Sequence, residues 1–465
     1  MIVKRSRPYQ MNFSKPALFC FLIIFSLSAW GSVFVEWNNA ALPPSNALGV
    51  TDVVLTSKSG FPAALLATAR KQGYRVYVQT SLNQAEITAS SCTKNGCTGV
   101  ILNVPEAEKA NAAESLTRLR SAYPNLRFLI LNQNGKQPEM RGSLIIKRDS
   151  VLEVSSPTAQ PWIDTNLALI KVEQRALNTQ VPLYTFSWTD TEQQRPLTAD
   201  DYSLAVEEAA AFHADLLLQL NEELQKGLTR PGSEAWTLWN RVRSALKFAP
   251  DAKEIRLVPA ANVAVVSDQL DTSDEVLNLL CRHNIPFDVF LPADLKTAKL
   301  DRFDILILLA KPDAENTDRI KSLANAGTTV VLVDSHGTYP WQAGQPVKLN
   351  EQTTSYTVGN GKVLELAEPV SDPETFAQDI RRLLGKRNAL FSLWNGLTTI
   401  AVPYKDDGGM LTLLEFLNYA GESVRLQVQV KGTFSNIRYE TPEHGCCQTL
   451  DTVKRDGLRN SLFRN

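Results

Sequence analysis

Between Val33 and about Lys247 the chain repeats one theme: a short run of β-branched and leucine residues, a polar end, then a helical pattern or a loop. Eight such runs stand out, at 33–37, 52–56, 74–79, 99–104, 126–131, 151–154, 182–188 and 215–220. The fourth is the most informative. Gly99, Val100, Ile101 and Leu102 make a continuous apolar strand that stops before Pro105 and delivers Asn103 and Glu106 to a loop. Unbroken runs of this kind suit parallel strands covered on both faces.

Helical patterns at 61–72, 106–123, 163–178 and 201–213 separate several of the runs. Strands alternating with helices imply parallel βαβ units, and eight of them predict a closed (β/α)8 (TIM) barrel. The link 38–51 is proline-rich and barely helical, so the barrel is expected to be trimmed. The stretch 144–154 reads as a hairpin turning at Arg148, Asp149 and Ser150, one arm serving as barrel strand six and the other as an insertion. Seven strands plus a hairpin is the competing count.

A chain of 465 residues exceeds one ordinary core, so further domains are expected. The near cancellation of 48 Lys and Arg by 49 Asp and Glu leaves no bulk field toward nucleic acid, and none is expected as a partner. The four histidines are scattered, which argues against a histidine-built metal site; no metal and no cofactor are expected.

The amino terminus has the pattern of an export signal. Lys4, Arg5, Arg7 and Lys15 precede an apolar run at 17–30, which is shorter than the ~20 residues needed to span a bilayer. Ala29, Gly31 and Ser32 offer a cleavage zone, giving a signal peptide at 1–31; an uncleaved membrane anchor is the alternative. No Leu-x-x-Cys ends the run, which argues against a lipoprotein. A periplasmic or extracellular address follows. Cys92 and Cys97 bracket a turn-like loop that could close as a disulfide in an oxidising compartment, whereas Cys446 and Cys447 are vicinal and Cys281 lies on an apolar helical face.

In the second half, strands at 262–267, 286–291, 303–309 and 328–333 alternate with helices at 273–283, 313–326 and 372–384, as in an open doubly wound α/β domain. From Phe391 the pattern changes to alternation at 398–402, 411–419, 424–430 and 437–439, a small antiparallel β-sandwich. About 75 residues are few for a full sandwich, and 454–465 shows no clear alternation. The expected domains are therefore 32–255, 256–388 and 389–465.

Polar residues collect where the barrel strands end. Strand one offers Glu36 and Trp37 at its end, strand four Asn103 and then Glu106, strand five Asn132, strand six Trp162 and Asp164, and strand seven Trp188, then Asp190 and Glu192. Amides, carboxylates and tryptophans around one rim suit a sugar: hydrogen bonds for hydroxyls and flat faces for the ring. Glycoside hydrolysis needs one protonated and one ionised carboxyl group, and Glu106 with Asp190 or Glu192 is the natural pair. The structural roles stand beside this. Asp164 precedes an apolar-periodic run as an N-cap would, and Glu106 could be a first-turn acid of its own helix. Glu36, flanked by Val35 and Trp37, points either into the barrel or toward the helices.

The order from the 262–267 strand to Ala-Gly-Thr-Thr-Val-Val-Leu-Val at 326–333 resembles the class I glutamine-amidotransferase-like domain. At the turn where active members carry a cysteine this chain has Leu309, Ala310, Lys311 and Pro312, so the nucleophile is missing. Barrel, amidotransferase-like domain and β-sandwich in that order resemble the bacterial barrel-type beta-galactosidases. The resemblance implies a glycoside hydrolase acting on a carbohydrate, with a homo-oligomer assembled through the second domain. Those enzymes carry Asn-Glu at the end of strand four and a Glu at the end of strand seven. Here Asn103 stands three residues before Glu106, and Asp190 and Glu192 lie in the following loop. The expectation is an exported glycoside-hydrolase-like protein using two carboxylates; the alternative is a non-catalytic carbohydrate-binding or assembly protein of the cell envelope.

Overall fold

The computed structural model describes residues 2–4, 32–56, 61–104, 106–131, 139–140, 144–145, 147–148, 151–152, 154–155, 160–161, 163–176, 183–186, 197–254, 257–420, 423–432, 434, 437–443, 445–449, 452–455 and 458–462. The apolar run of the export pattern, at 17–30, lies outside the described residues. Among the described residues no helix is long and apolar enough to cross a membrane.

Eight parallel strands form the first sheet: β1 (Val33–Trp37), β2 (Asp52–Leu55), β3 (Arg75–Ser81), β4 (Gly99–Asn103), β5 (Arg127–Ile130), β6 (Glu139–Met140), β7 (Leu183–Phe186) and β8 (Asp215–Gln219). Among the described residues their hydrogen-bonded order is β5-β4-β3-β2-β1-β8-β7-β6, that of an eight-stranded barrel sheet with β5 and β6 at its edges. Strand six corrects the sequence expectation. Val151–Leu152 pairs antiparallel with Lys147–Arg148, as the hairpin reading requires, but neither arm joins the barrel sheet, and Glu139–Met140 takes the place beside β7. A two-residue strand, Glu139–Met140, carries too little apolar periodicity to be seen in sequence.

The helices are α1 (Ser45–Leu48), α2 (Ala63–Lys71), α3 (Ala85–Asn95), α4 (Lys109–Ala122), α5 (Leu167–Ala176), α6 (Ala199–Ala211), α7 (Glu222–Leu228) and α8 (Glu234–Glu254). The one-turn α1 confirms a trimmed first crossover, and α8 compensates: the buried Trp239 donates its indole N–H to Leu48 O at 2.9 Å. Helix α6 begins with a capping box, Thr198 N donating to Asp201 Oδ2 and Asp201 N to Thr198 Oγ1, satisfying donors that the helix itself leaves open. Helix α3 was not foreseen, because Ser90, Ser91, Thr93 and Asn95 mask its helical face. It ends on Gly96 with φ 78°, and the Cys92–Cys97 disulfide, Cα–Cα 4.8 Å, closes the turn that leads into β4.

Alternation sorts each barrel strand into two faces. Val35, Trp37, Val53, Leu55, Val76, Val78, Val100 and Leu102 face the helices. Phe34, Val54, Tyr77, Ile101, Leu129, Leu183 and Leu217 fill the interior. At the amino end of the strands the interior closes with charge. Asp52 pairs with Arg75, and Asp215 pairs with Arg127 at 2.8 Å from β8 to β5; both carboxylates are buried. Burial works against the Arg75 guanidinium, but the hydrogen bond and charge of Asp52 outweigh it and hold its pKa above the ordinary value.

The second sheet comprises β9 (Val263–Val266), β10 (Phe287–Phe290), β11 (Ile305–Leu308), β12 (Thr329–Leu332), β13 (Pro346–Lys348), β14 (Thr353–Val358) and β15 (Gly361–Leu366). Its order is β10-β9-β11-β12-β15-β14-β13, parallel through β15 and antiparallel beyond, with helices α9 (Leu270–Arg282), α10 (Ala314–Ala326) and α11 (Pro373–Asn388). The parallel part has the flavodoxin-like order. Helix α5 fastens this unit to the barrel through Lys171–Asp288 at 3.0 Å and Arg175–Asp294.

Two antiparallel sheets complete the chain. One holds β17 (Thr399–Lys405), β18 (Leu411–Asn418), β20 (Arg438–Thr441) and β21 (Gly445–Thr449), joined by Val258–Pro259 at one edge and by Ile2–Lys4 between β18 and β20. The other holds β16 (Phe391–Trp394), β19 (Gln427–Val430), β22 (Thr452–Arg455) and β23 (Leu458–Leu462). The tail that showed no clear alternation is thus a hairpin, Thr452 opposite Ser461, and the sandwich borrows strands from outside 389–465.

Candidate functional site at the carboxyl end of the barrel

Polar residues occupy inward positions near the carboxyl ends of six barrel strands. Glu36 on β1, Thr56 after β2, Gln79 on β3, Asn103 on β4, Thr185 on β7 and Gln219 on β8 share the parity of the interior residues below them. Glu36 resolves the sequence ambiguity by facing inward. Its Oε2 accepts from Gln219 Nε2 at 2.8 Å, and its Oε1 accepts from Asn38 Nδ2 at 3.3 Å and Thr56 Oγ1 at 3.4 Å. Asn38 is held in turn by Gln225 of α7, whose Oε1 accepts the Asn38 backbone N–H at 3.0 Å while its Nε2 donates to Leu220 O. These donors to the Glu36 carboxylate are neutral, whereas the cations Arg75 and Arg127 sit at the opposite end. Carboxylate, amides and hydroxyls in a fixed arc can orient a polyhydroxylated ring by accepting from and donating to its hydroxyls.

The sequence-selected residues do not share one place. Glu36 and Asn103 stand at the inner rim, Asn103 exposed at the last position of β4. Trp37 does not join them. It has no exposed surface, faces the helices, and donates its indole N–H to Ala41 O at 3.0 Å, so its ring is core and cannot stack on a ligand. Glu106 opens a 3-10 turn, Glu106–Glu108, ahead of α4, three residues beyond Asn103. Asp164 lies in Ile163–Asp164, paired with Leu144–Ile145, while α5 starts at Leu167 with Thr165 Oγ1 accepting the Leu167 N–H; the N-cap reading of Asp164 is thereby corrected. Asn132, Trp162, Trp188, Asp190 and Glu192 lie outside the described residues.

Sequence reasoning missed Thr56 and Gln225. Thr56 continues the inward parity of β2 one position past its end, a signal present in the sequence. Gln225 lies on a helix surface by pattern, and only the approach of α7 to the β1 loop gives it a partner.

No family model and no curated protein matches the chain. Solved structures do. The fold is similar to that of a GH42 beta-galactosidase from G. stearothermophilus, with a TM-score of 0.54 at 10% identity over 93% of this chain and 98% of that one. It is similar also to a cold-adapted beta-galactosidase from Rahnella, with a TM-score of 0.53 at 10% identity over 87% and 94%. A beta-galactosidase from Bacillus circulans sp. alkalophilus gives a TM-score of 0.50 at 9% identity over 94% and 99%. The chain therefore has the fold of the barrel-type glycoside hydrolases, along nearly its whole length.

Proposed function

We propose that this protein is an exported glycoside-hydrolase-like enzyme that acts on a glycan at the carboxyl end of its barrel. The observation that carries the proposal is the polar arc around Glu36, which occupies the end of the barrel where folds of this type hold their substrates. The similarity in fold to beta-galactosidases supports a carbohydrate as the substrate class, although a fold by itself does not grant a reaction.

In this reading Glu106 is the acid/base and Asp190 or Glu192 the nucleophile. The acid donates its proton to the glycosidic oxygen as the leaving sugar departs. The ionised carboxylate then takes the anomeric carbon, and water, deprotonated by Glu106, releases the sugar and restores both groups. Glu36, Asn103 and Asp164 bind hydroxyls, with Asn132, and Trp162 and Trp188 supply flat faces for the rings. The second domain, without a cysteine at the Leu309–Pro312 turn, is an amidotransferase-like unit serving assembly of a homo-oligomer.

The test is turnover of a broad panel of aryl glycosides by the purified protein and by Glu106→Gln. Loss of roughly 10²–10⁴-fold in Glu106→Gln with an unchanged melting temperature supports the assignment. A protein inert on every glycoside but binding glycans in calorimetry would replace it with a non-catalytic carbohydrate-binding role. Secretion is tested separately, by the mass of the amino terminus of the protein recovered from periplasm or medium.

A further inference from the structure

In the four-stranded sheet, the pair β16 and β19 turns one row of side chains into the sandwich core and the other away from it. Strands β16 and β19 pair antiparallel, so residues directly opposite share a face: Phe391 with Val430, Ser392 with Gln429, Leu393 with Val428, Trp394 with Gln427. Phe391, Leu393, Val428 and Val430 belong to the sandwich core. Ser392, Trp394, Gln427 and Gln429 consequently point outward, and Trp394 is 41% exposed.

The alternation extends past β19. Val424 and Leu426 pack inward, which puts Arg425 in the outward row with Gln427, Gln429 and Lys431; Arg425 and Lys431 are both exposed. Arg425 and Lys431 stand six steps apart, roughly 20 Å along extended chain. The row therefore presents a cation at each end, two amides between them, and an indole beside the amides. Asp304 of the neighbouring domain feels the Lys431 charge. The core on the opposite side of the strand is filled by Phe391 and Leu393, and the exposed part of the Trp394 indole is open to a ligand.

We infer that this face is a second carbohydrate site, distinct from the barrel rim, and that it takes an acidic polysaccharide. A pyranose ring stacks on Trp394, hydroxyls meet Ser392, Gln427 and Gln429, and carboxylate or sulfate groups along the chain meet Arg425 and Lys431. Charge complementarity selects this occupant over a neutral glycan, because a neutral chain would leave both terminal cations unused.

The experiment is affinity electrophoresis of the full chain in gels containing polygalacturonate, dextran sulfate or dextran. Retardation by polygalacturonate or dextran sulfate, and not by dextran, is expected; the first two distinguish carboxylate from sulfate as the anionic group. Trp394→Ala should weaken that retardation about tenfold, the scale of losing one aromatic anchor. Arg425→Gln with Lys431→Gln should weaken it further and remove its salt dependence, and Glu36→Gln should leave it unchanged. All variants are first matched to the parent in melting temperature. The inference is overturned if the parent is not retarded, if dextran retards it equally, if Trp394→Ala behaves as the parent, or if Glu36→Gln abolishes the effect. None of these outcomes depends on turnover at the rim.

Discussion

Gln219 at the end of the eighth barrel strand donates its amide to Glu36 Oε2, 2.8 Å away at the end of the first. The two residues are direct neighbours in the parallel register, so the bond fixes the carboxylate where the barrel sheet passes from its last strand to its first. Replacing Gln219 by Leu removes this exposed hydrogen bond to a charged group, which changes stability little but releases the carboxylate from its fixed position. Glycan affinity measured by calorimetry should fall about tenfold or more in Gln219→Leu and in Glu36→Gln, with little change in melting temperature.

Gly99 opens the strand that leads to Asn103 and Glu106. A Cβ there would stand 2.2 Å from Arg127 O and 2.8 Å from the Tyr77 ring. The first contact is backbone in the paired strand and cannot swing aside. Gly99→Ala should therefore cost about 1–3 kcal/mol in urea unfolding, the range of overpacking in a closed core.

The Cys92–Cys97 disulfide closes a short loop, with a sequence separation of 5. A loop of that size is worth about 2 kcal/mol by the chain-entropy relation. Reductant should lower the melting temperature of the parent and leave that of Cys97→Ala unmoved. An equal response of both proteins would show that this bond is not what the reductant acts on.

Glu208, wholly buried on α6, accepts from Thr165 Oγ1 at 2.9 Å, Asn166 N at 3.0 Å, Asn166 Nδ2 at 2.7 Å and the Tyr419 hydroxyl at 2.9 Å. It ties the barrel to the sandwich. Burial raises its pKa, and these donors only partly oppose the shift. A carboxyl that holds its proton more tightly when folded favours folding at low pH, and costs stability as pH rises from about 4 through its raised value. Glu208→Gln should flatten that decline in denaturation curves across this window. The two proteins should converge at lower pH.

Tyr419→Phe probes the same junction from the sandwich side. It removes one donor from a buried carboxylate and should cost about 1–3 kcal/mol. The loss should shrink in the Glu208→Gln background, and a double-mutant cycle measures the coupling.

The barrel was legible because its physics is local. Runs such as Val100-Ile101-Leu102 are apolar on both faces, and this is required only of strands covered on both sides. Seven of its strands and the α/β domain follow from that alone, together with a hairpin at Arg148–Val151 and a carboxylate of unusual placement at Glu36. Strand six escaped because two residues carry no period, and the terminal hairpin escaped because Leu458-Arg459-Asn460-Ser461-Leu462 alternates too weakly to be read.

What the sequence determined by itself was composition, order and period: which segments are strands and helices, and that polar residues follow them. Which face each residue takes was decided only in the folded chain. Glu36 and Trp37 are adjacent, yet one lines the barrel mouth and the other fills the layer beneath the helices, because successive side chains of a strand point to opposite sides. Partners far apart in the chain were equally invisible. Gln219 meets Glu36, and Tyr419 meets Glu208, only because strand pairing and domain packing bring together residues separated by 183 and 211 positions. No periodicity records such distances; they arise where buried polar groups must find whatever partners the packing of large apolar surfaces has left beside them.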